Sequence, residues 1–163
     1  MILVVADSSP LIVLLKIGQI DLLPTLFNRA AMPPAIAEDL TSDRRTKAVR
    51  DFFDPPPAWL RVQQPRTEEN IPGLYRGASQ AFAIATELNA HLVFVDETRA
   101  YHEAVGRHLP AIGTIAVLER AAAMGLLDLK EAFELLKSTD FRISHDLLAL
   151  RLRAHLARKQ PAA

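Results

Sequence analysis

The chain opens with the apolar run Ile2-Leu3-Val4-Val5-Ala6, which leads directly into Asp7-Ser8-Ser9-Pro10. A continuous apolar run rich in β-branched residues, followed by polar residues, is typical of a buried parallel strand and its exit turn. Pro10 suits the first turn of a helix, and Ser8 or Ser9 can cap that helix. The stretch therefore predicts a buried strand that passes directly into a helix.

The same pattern returns at Leu92-Val93-Phe94-Val95, a second apolar run that also ends in a carboxylate, Asp96. Shorter apolar stretches at 60–63 and 111–112 predict two more strands. Helical spacing of apolar residues predicts helices at 11–17, 20–27, 34–53, 79–88, 98–107, 115–123, 129–137 and 144–158. Strands that alternate with helices predict an α/β fold with a central, mostly parallel sheet.

Composition sets the broad class of the protein. The chain has 163 residues, 50% of them hydrophobic, and no cysteine. A chain of this length can bury one core without disulfides, so we expect a single domain over residues 1–158 and a disordered tail at 159–163. No apolar run is long enough to span a membrane, and the first residues lack the basic region of a signal peptide. These features favour a cytoplasmic protein.

The charge balance limits how the protein could bind nucleic acid. The formal net charge is +0, whereas a general nucleic-acid binder is usually basic, so binding would need a local basic patch. Two groups of basic residues offer one, although a solvated helix face is the commoner role of such a group. The groups are Arg44, Arg45, Lys47 and Arg50, and Arg151, Arg153, Arg158 and Lys159.

The two strands that end in aspartate carry the chemical hypothesis. Ligands bind beyond the carboxyl ends of parallel strands, so Asp7 and Asp96 converge there if their strands are neighbours. Two close carboxylates repel each other, and a hard divalent cation that prefers oxygen ligands removes that conflict. Such a metal could activate water for attack on a phosphodiester. An aspartate after a strand can also simply cap the next helix, so spacing alone leaves both interpretations open.

The ordered motifs resemble the PIN-like family, in particular a bacterial and archaeal subfamily related to VapC-type toxins. The opening Val5 to Ile12 resembles the start of a PIN domain, and the continuation from Leu14 to Leu23 is more specific to the subfamily. The later matches keep the expected order along residues 3–150. They are Pro33 to Leu40, Gly77 to Ala85, Val95 to Arg99, Gly113-Thr114 and Phe141 to Ser144.

The resemblance implies a three-layered α/β/α fold in which acidic residues hold one or two Mg²⁺ or Mn²⁺ ions and the site cuts RNA. By position, the first acid is Asp7, the second is Asp39 and the last is Asp96, all three being metal ligands and catalytic residues. Glu38 is the alternative to Asp39. Ser9 matches a hydroxyl position near the metal, or caps a helix.

The third acidic segment departs from the family pattern. The family has Gly-Glu-x-Glu-Ala-Ile at a helix start, and this chain has Gly77-Ala78-Ser79-Gln80-Ala81-Phe82. Gln80 is isosteric with glutamate but uncharged, so metal affinity should fall. Glu97 could add a ligand or be a surface acid. Arg99 could contact phosphate or pair with an acid of the site.

Three functional hypotheses follow. The first is a metal-dependent endoribonuclease of the toxin type, weakened at Gln80, with the homodimer and antitoxin partner that the resemblance implies. The second is a catalytically degenerate PIN-like module that binds RNA or a protein partner. The third is a phosphatase with Asp7 as nucleophile, which is disfavoured because Asp-Ser-Ser lacks the second aspartate such sites commonly use as an acid.

Overall fold

The strands form one parallel sheet in the computed structural model, which describes residues 2–159. The strand order is β3-β2-β1-β4-β5, and every pair is parallel. The predicted α/β class with a parallel sheet is therefore confirmed. The elements run in the order β1 Leu3–Ala6, α1 Ser8–Lys16, α2 Leu22–Leu26, β2 Arg29–Met32, α3 Pro34–Leu40, α4 Lys47–Phe53, β3 Leu60–Val62, α5 Arg76–Glu87, β4 Leu92–Phe94, α6 Thr98–Gly106, β5 Ala111–Ile112, α7 Thr114–Ala123, α8 Leu129–Lys137 and α9 His145–Lys159.

The two predicted apolar strands are the centre of the sheet. Strand β1 pairs with β2 on one side and with β4 on the other, so neither β1 nor β4 is an edge strand. Val4, Val5 and Val93 are fully buried, as expected for central parallel strands. The buried hydrophobic cluster that contains Val5 and Val93 also contains Phe82 and Ile84 of α5.

Two elements differ from the sequence prediction. Strand β2 was missed because its residues, Arg29–Met32, include two alanines, which have little strand propensity. Pairing with β1 and β3 selects this strand in the fold. The long helix predicted from residue 34 to 53 is two helices, because α3 ends at Leu40 and the Oγ1 of Thr46 caps α4 by accepting from the amide of Val49.

The chain separates into two compact units, residues 1–114 and 115–163. The first unit holds the sheet and every acidic residue proposed from the sequence. The second unit contains α8, whose apolar stripe buries Leu129, Phe133 and Leu136. The single domain over 1–158 stays a prediction. Of the expected tail, Lys159 is the last residue of α9 and 160–163 lie outside the described residues.

Candidate active site

The topology puts the two predicted aspartates at the same edge of the sheet. Strands β2 and β3 lie on one side of β1, and the chain then crosses to β4 on the other side, so the order reverses between β1 and β4. Ligands of open α/β sheets bind at such a switch point, beyond the carboxyl ends of the strands. Ala6 and Phe94 are paired, and the amide of Asp7 donates to the Phe94 carbonyl at 3.0 Å. Asp7 and Asp96 therefore both follow the paired ends of these strands.

Asp7 is a buried carboxylate that also begins helix α1. It is 3% exposed, and its Oδ1 accepts a hydrogen bond from the amide of Ser8 at 2.8 Å. Burial raises its pKa, while hydrogen bonds from Tyr75 and Ser8 oppose that effect. The negative charges of Glu97 and Asp39 raise the pKa further. Asp7 thus lies within the electrostatic reach of two other carboxylates.

Tyr75 is the side chain that covers Asp7. Its hydroxyl donates to the Asp7 carboxylate and lies 3.1 Å from the Ser8 hydroxyl. Burial of the hydroxyl raises the pKa of Tyr75, and the charge of Asp7 adds to this. The ring is positioned by Gly77, because a Cβ there would lie 2.7 Å from the Tyr75 Cε2 atom. The Tyr75 hydroxyl therefore occupies the Asp7 oxygen that a metal ion could otherwise bind.

Asp96 is held by Thr114, which follows strand β5 and is the first residue of α7. Its Oδ1 accepts from the amide of Thr114 at 2.7 Å, and its Oδ2 accepts from the Thr114 hydroxyl at 2.5 Å. Burial raises the pKa of Asp96, and these two hydrogen bonds lower it. Gly113 is required for this approach, because a Cβ there would lie 2.9 Å from Asp96 Oδ1. Both oxygens of Asp96 therefore have protein donors.

Asp39 lies on α3 and is clamped by two arginines. Arg44 donates to its Oδ1 at 2.7 Å and Arg45 to its Oδ2 at 2.8 Å. The Asp39 side chain is 11% exposed, so these are charge-assisted contacts of a largely buried carboxylate. Glu38, the alternative second acid, is exposed. The first basic group of the sequence thus supplies the partners of the second acid.

Gln80, in the segment that lacks the expected glutamates, is buried and has partners on both sides of its amide. Its Oε1 accepts from the amide of Ala35 at 3.3 Å, and its Nε2 donates to Glu68 Oε1 at 3.1 Å. Glu68 also pairs with Arg76 at 3.3 Å. The carboxylate of Glu68 thus stands beside the position where the family pattern has its own glutamate.

The other predicted residues lie at the margin of the site. Ser9 is exposed, and Asp7 rather than a serine caps α1. Glu97 is the exposed N-cap residue of α6 and makes no side-chain cap hydrogen bond. Arg99 donates to the carbonyl of Pro72 at 2.8 Å and pairs with Glu103 at 3.3 Å. Arg99 is therefore engaged by its own loop and helix.

Comparison with known proteins identifies the family. A family model described as a PIN domain matches residues 3–156. The chain belongs to the PIN-domain family. Among solved structures, the chain is similar to a PilT N-terminus domain protein from the hyperthermophilic archaeon Sulfolobus solfataricus P2, with 16% identity, a TM-score of 0.44 and coverage of 88% of this chain and 99% of that chain. No curated protein matches.

PIN domains generally use divalent metals, so the carboxylates of this one can be tested against that use. The donor chemistry is suitable, because carboxylate oxygens are the ligands that Mg²⁺ and Mn²⁺ prefer. The arrangement of these carboxylates is less suitable, because within residues 2–159 no group of three or more acidic or histidine side chains is placed to hold a metal ion. Tyr75 covers Asp7, two arginines neutralise Asp39, and Thr114 occupies Asp96. These acids are therefore held by protein partners, which a metal ion would have to displace in order to bind.

Sequence reasoning missed the residues that occupy these carboxylates. Tyr75 lies outside every predicted helix and strand, and Thr114 was matched only as part of the motif Gly113-Thr114. Each lies far along the chain from its acid, with sequence separations of 68 and 18 residues. The one available signal was the glycine beside each of them, since Gly77 and Gly113 both permit a close side-chain approach.

In the part of the chain that the structure describes, no helix combines the length and apolar character needed to cross a membrane.

Proposed function

We propose that this PIN domain is a metal-dependent endoribonuclease of weakened activity, acting in the cytoplasm with Mg²⁺ or Mn²⁺. Asp7, Asp39 and Asp96 are proposed as its metal-binding and catalytic residues. The observation that carries the proposal is a pair of carboxylates at the switch point of the sheet, the buried Asp7 and the partly buried Asp96. Burying a carboxylate is costly, and such groups with raised pKa values cluster at functional sites.

The weakening is proposed from the state of each acid. Gln80 brings no charge, so the site attracts a cation less than one with a glutamate at this position. A metal ion would also compete with the Tyr75 hydroxyl for Asp7 and with Arg44 and Arg45 for Asp39. We therefore expect metal binding in the high micromolar to millimolar range rather than a permanently loaded site.

The toxin role is a further part of the proposal and is supported by the family resemblance alone. That resemblance also suggests a homodimer and an antitoxin that covers the acidic groove with a basic side chain.

A second function is favoured by a specific observation, the neutralisation of the acids by the chain's own side chains. Arg44 and Arg45 supply Asp39 with the positive charge that a metal would otherwise provide. A site stabilised in this way needs no cation to fold. The alternative is therefore a catalytically degenerate PIN module that binds RNA or a protein through the same surface.

Cleavage of a labelled single-stranded RNA in millimolar Mn²⁺ separates the two. We expect slow cleavage by the wild-type chain and a loss of about 100-fold or more in Asp7→Asn, because the central ligand charge is removed. Asp51→Asn is the matched control, since Asp51 is 62% exposed and pairs with Lys47 on α4. Equal rates for the wild type and Asp7→Asn, or no cleavage by either, would favour the degenerate module.

A further inference from the structure

A cavity of about 310 Å³ opens beside the Asp7 site. It lies between the end of α3, the segment after it, and the start of α5. Its lining includes one aromatic ring, two guanidinium groups and two carboxylates. The lining residues are Ala35, Glu38, Asp39, Ser42, Arg44, Tyr75, Arg76 and Gly77.

The aromatic wall is Tyr75, whose two ends lie in different surroundings. The residue is 44% exposed, yet its hydroxyl is buried against Asp7 and Ser8. The close fit of the ring over Gly77 fixes its position. A ring that is held at its hydroxyl end and open on its surface is a ready platform for stacking a base.

The cationic wall is formed by Arg44 and Arg76, which are 78% and 64% exposed. Each donates to one carboxylate, Asp39 or Glu68, through a single NH2 group. A guanidinium has five N–H donors, so each arginine retains donors for a phosphate. Arg76 and Gly77 are also the first residues of α5, which has no side-chain cap, and the free amides of a helix start favour an anion.

We propose that this cavity is a nucleotide subsite for single-stranded RNA, with a base stacked on the Tyr75 ring and a phosphate held by Arg44 and Arg76. The volume lies at the lower end of the range for small-ligand pockets, which suits one nucleotide. The subsite rests on the proposed function for its choice of RNA. It places the bound strand next to Asp7, because the same tyrosine contacts both.

The test measures RNA binding without cleavage. A short fluorescein-labelled oligouridine is titrated with the full chain in EDTA, and anisotropy gives Kd at several salt concentrations. Tyr75→Leu should raise Kd about tenfold, because base stacking on an aromatic ring is lost. Tyr75→Phe keeps the ring and should stay within about twofold. The matched control is Tyr101→Leu, since Tyr101 is 45% exposed and does not line the cavity.

The phosphate contacts proposed for Arg44 and Arg76 are tested by the salt dependence of RNA binding. Arg44→Gln and Arg76→Gln should each reduce the slope of log K against log salt by about 0.7, the value for one phosphate contact of a single strand. Arg61→Gln removes the same charge from an exposed position on strand β3 and should leave the slope unchanged. If circular dichroism shows that Tyr75→Leu does not fold, the salt dependence of the two arginine variants decides whether the subsite exists.

Unchanged Kd in a folded Tyr75→Leu, unchanged slopes in both arginine variants, or no RNA binding by the wild type would overturn the subsite. The outcome is separable from that of the proposed function. RNA that is bound through Tyr75 but never cut in Mn²⁺ retains the subsite and removes the nuclease. Cleavage that is lost in Asp7→Asn but unchanged in Tyr75→Leu would retain the nuclease and remove the subsite.

Discussion

The exchange variant Gln80→Glu with Glu68→Gln is expected to bind Mn²⁺ about tenfold or more tightly than the wild type and to cut RNA correspondingly faster. The two side chains already share a hydrogen bond, from Gln80 Nε2 to Glu68 Oε1 at 3.1 Å. The exchange keeps that hydrogen bond with its direction reversed and leaves the net charge of the chain unchanged. It moves the carboxylate from a side chain that is 62% exposed to a buried position.

The single variants separate charge from position. Gln80→Glu alone places a second carboxylate beside Glu68, so it should lower the unfolding temperature without metal and regain the loss in Mn²⁺. Glu68→Gln alone should not tighten Mn²⁺ binding. Calorimetric titration and thermal unfolding measure both effects. An exchange variant that folds and binds Mn²⁺ no better than the wild type would show that the missing glutamate is not what weakens the site.

The Asp7→Asn variant is expected to be more stable than the wild type at pH 7, by about 1 kcal/mol, a common gain where a functional residue is replaced. Burial raises the pKa of Asp7 above its unfolded value, so the ionised form is disfavoured in the folded chain. Its contribution to stability is therefore greatest below the unfolded pKa and falls as the pH rises through the folded pKa. Asparagine carries no charge and can still accept from Ser8 and Tyr75.

Urea unfolding in EDTA at pH 7 and at about pH 3 measures this, because the difference should largely disappear where Asp7 is mostly protonated in both states. Asp51→Asn is again the control, and it should change little at either pH because its ion pair is exposed. A loss of stability in Asp7→Asn at pH 7 would mean that the hydrogen bonds of the carboxylate outweigh its burial. Asp7 would then act mainly as the cap of α1.

The sequence predicted the elements that carry the site better than the contacts within it. Strands β1 and β4 were predictable because each is an uninterrupted apolar run. The aspartate that follows each run could therefore be assigned to the carboxyl end of a strand. Helix boundaries around α3 and α4 were less predictable, since Thr46 begins a new helix only in the folded chain. The parallel pairing of β1 with β4 joins segments about ninety residues apart, which no local pattern specifies.

The partners of the acids were harder to predict, for a physical reason. Arg44 and Arg45 are close to Asp39 in sequence, and the pattern showed a basic group there without its target. Tyr75 reaches Asp7 across 68 residues of chain, and its role depends on the room left at Gly77. The acidic residues could thus be proposed from sequence motifs, whereas the side chains that bind them are brought there by tertiary packing.

Calorimetric titration of the wild-type chain with Mn²⁺, beside Asp7→Asn, tests the proposed metal-dependent site most directly. We predict weak, saturable binding by the wild type and its loss in Asp7→Asn, with Asp51→Asn behaving as the wild type. An absence of binding at millimolar Mn²⁺, or equal binding by the wild type and Asp7→Asn, would contradict a metal site at Asp7 and leave a PIN domain that binds without cutting.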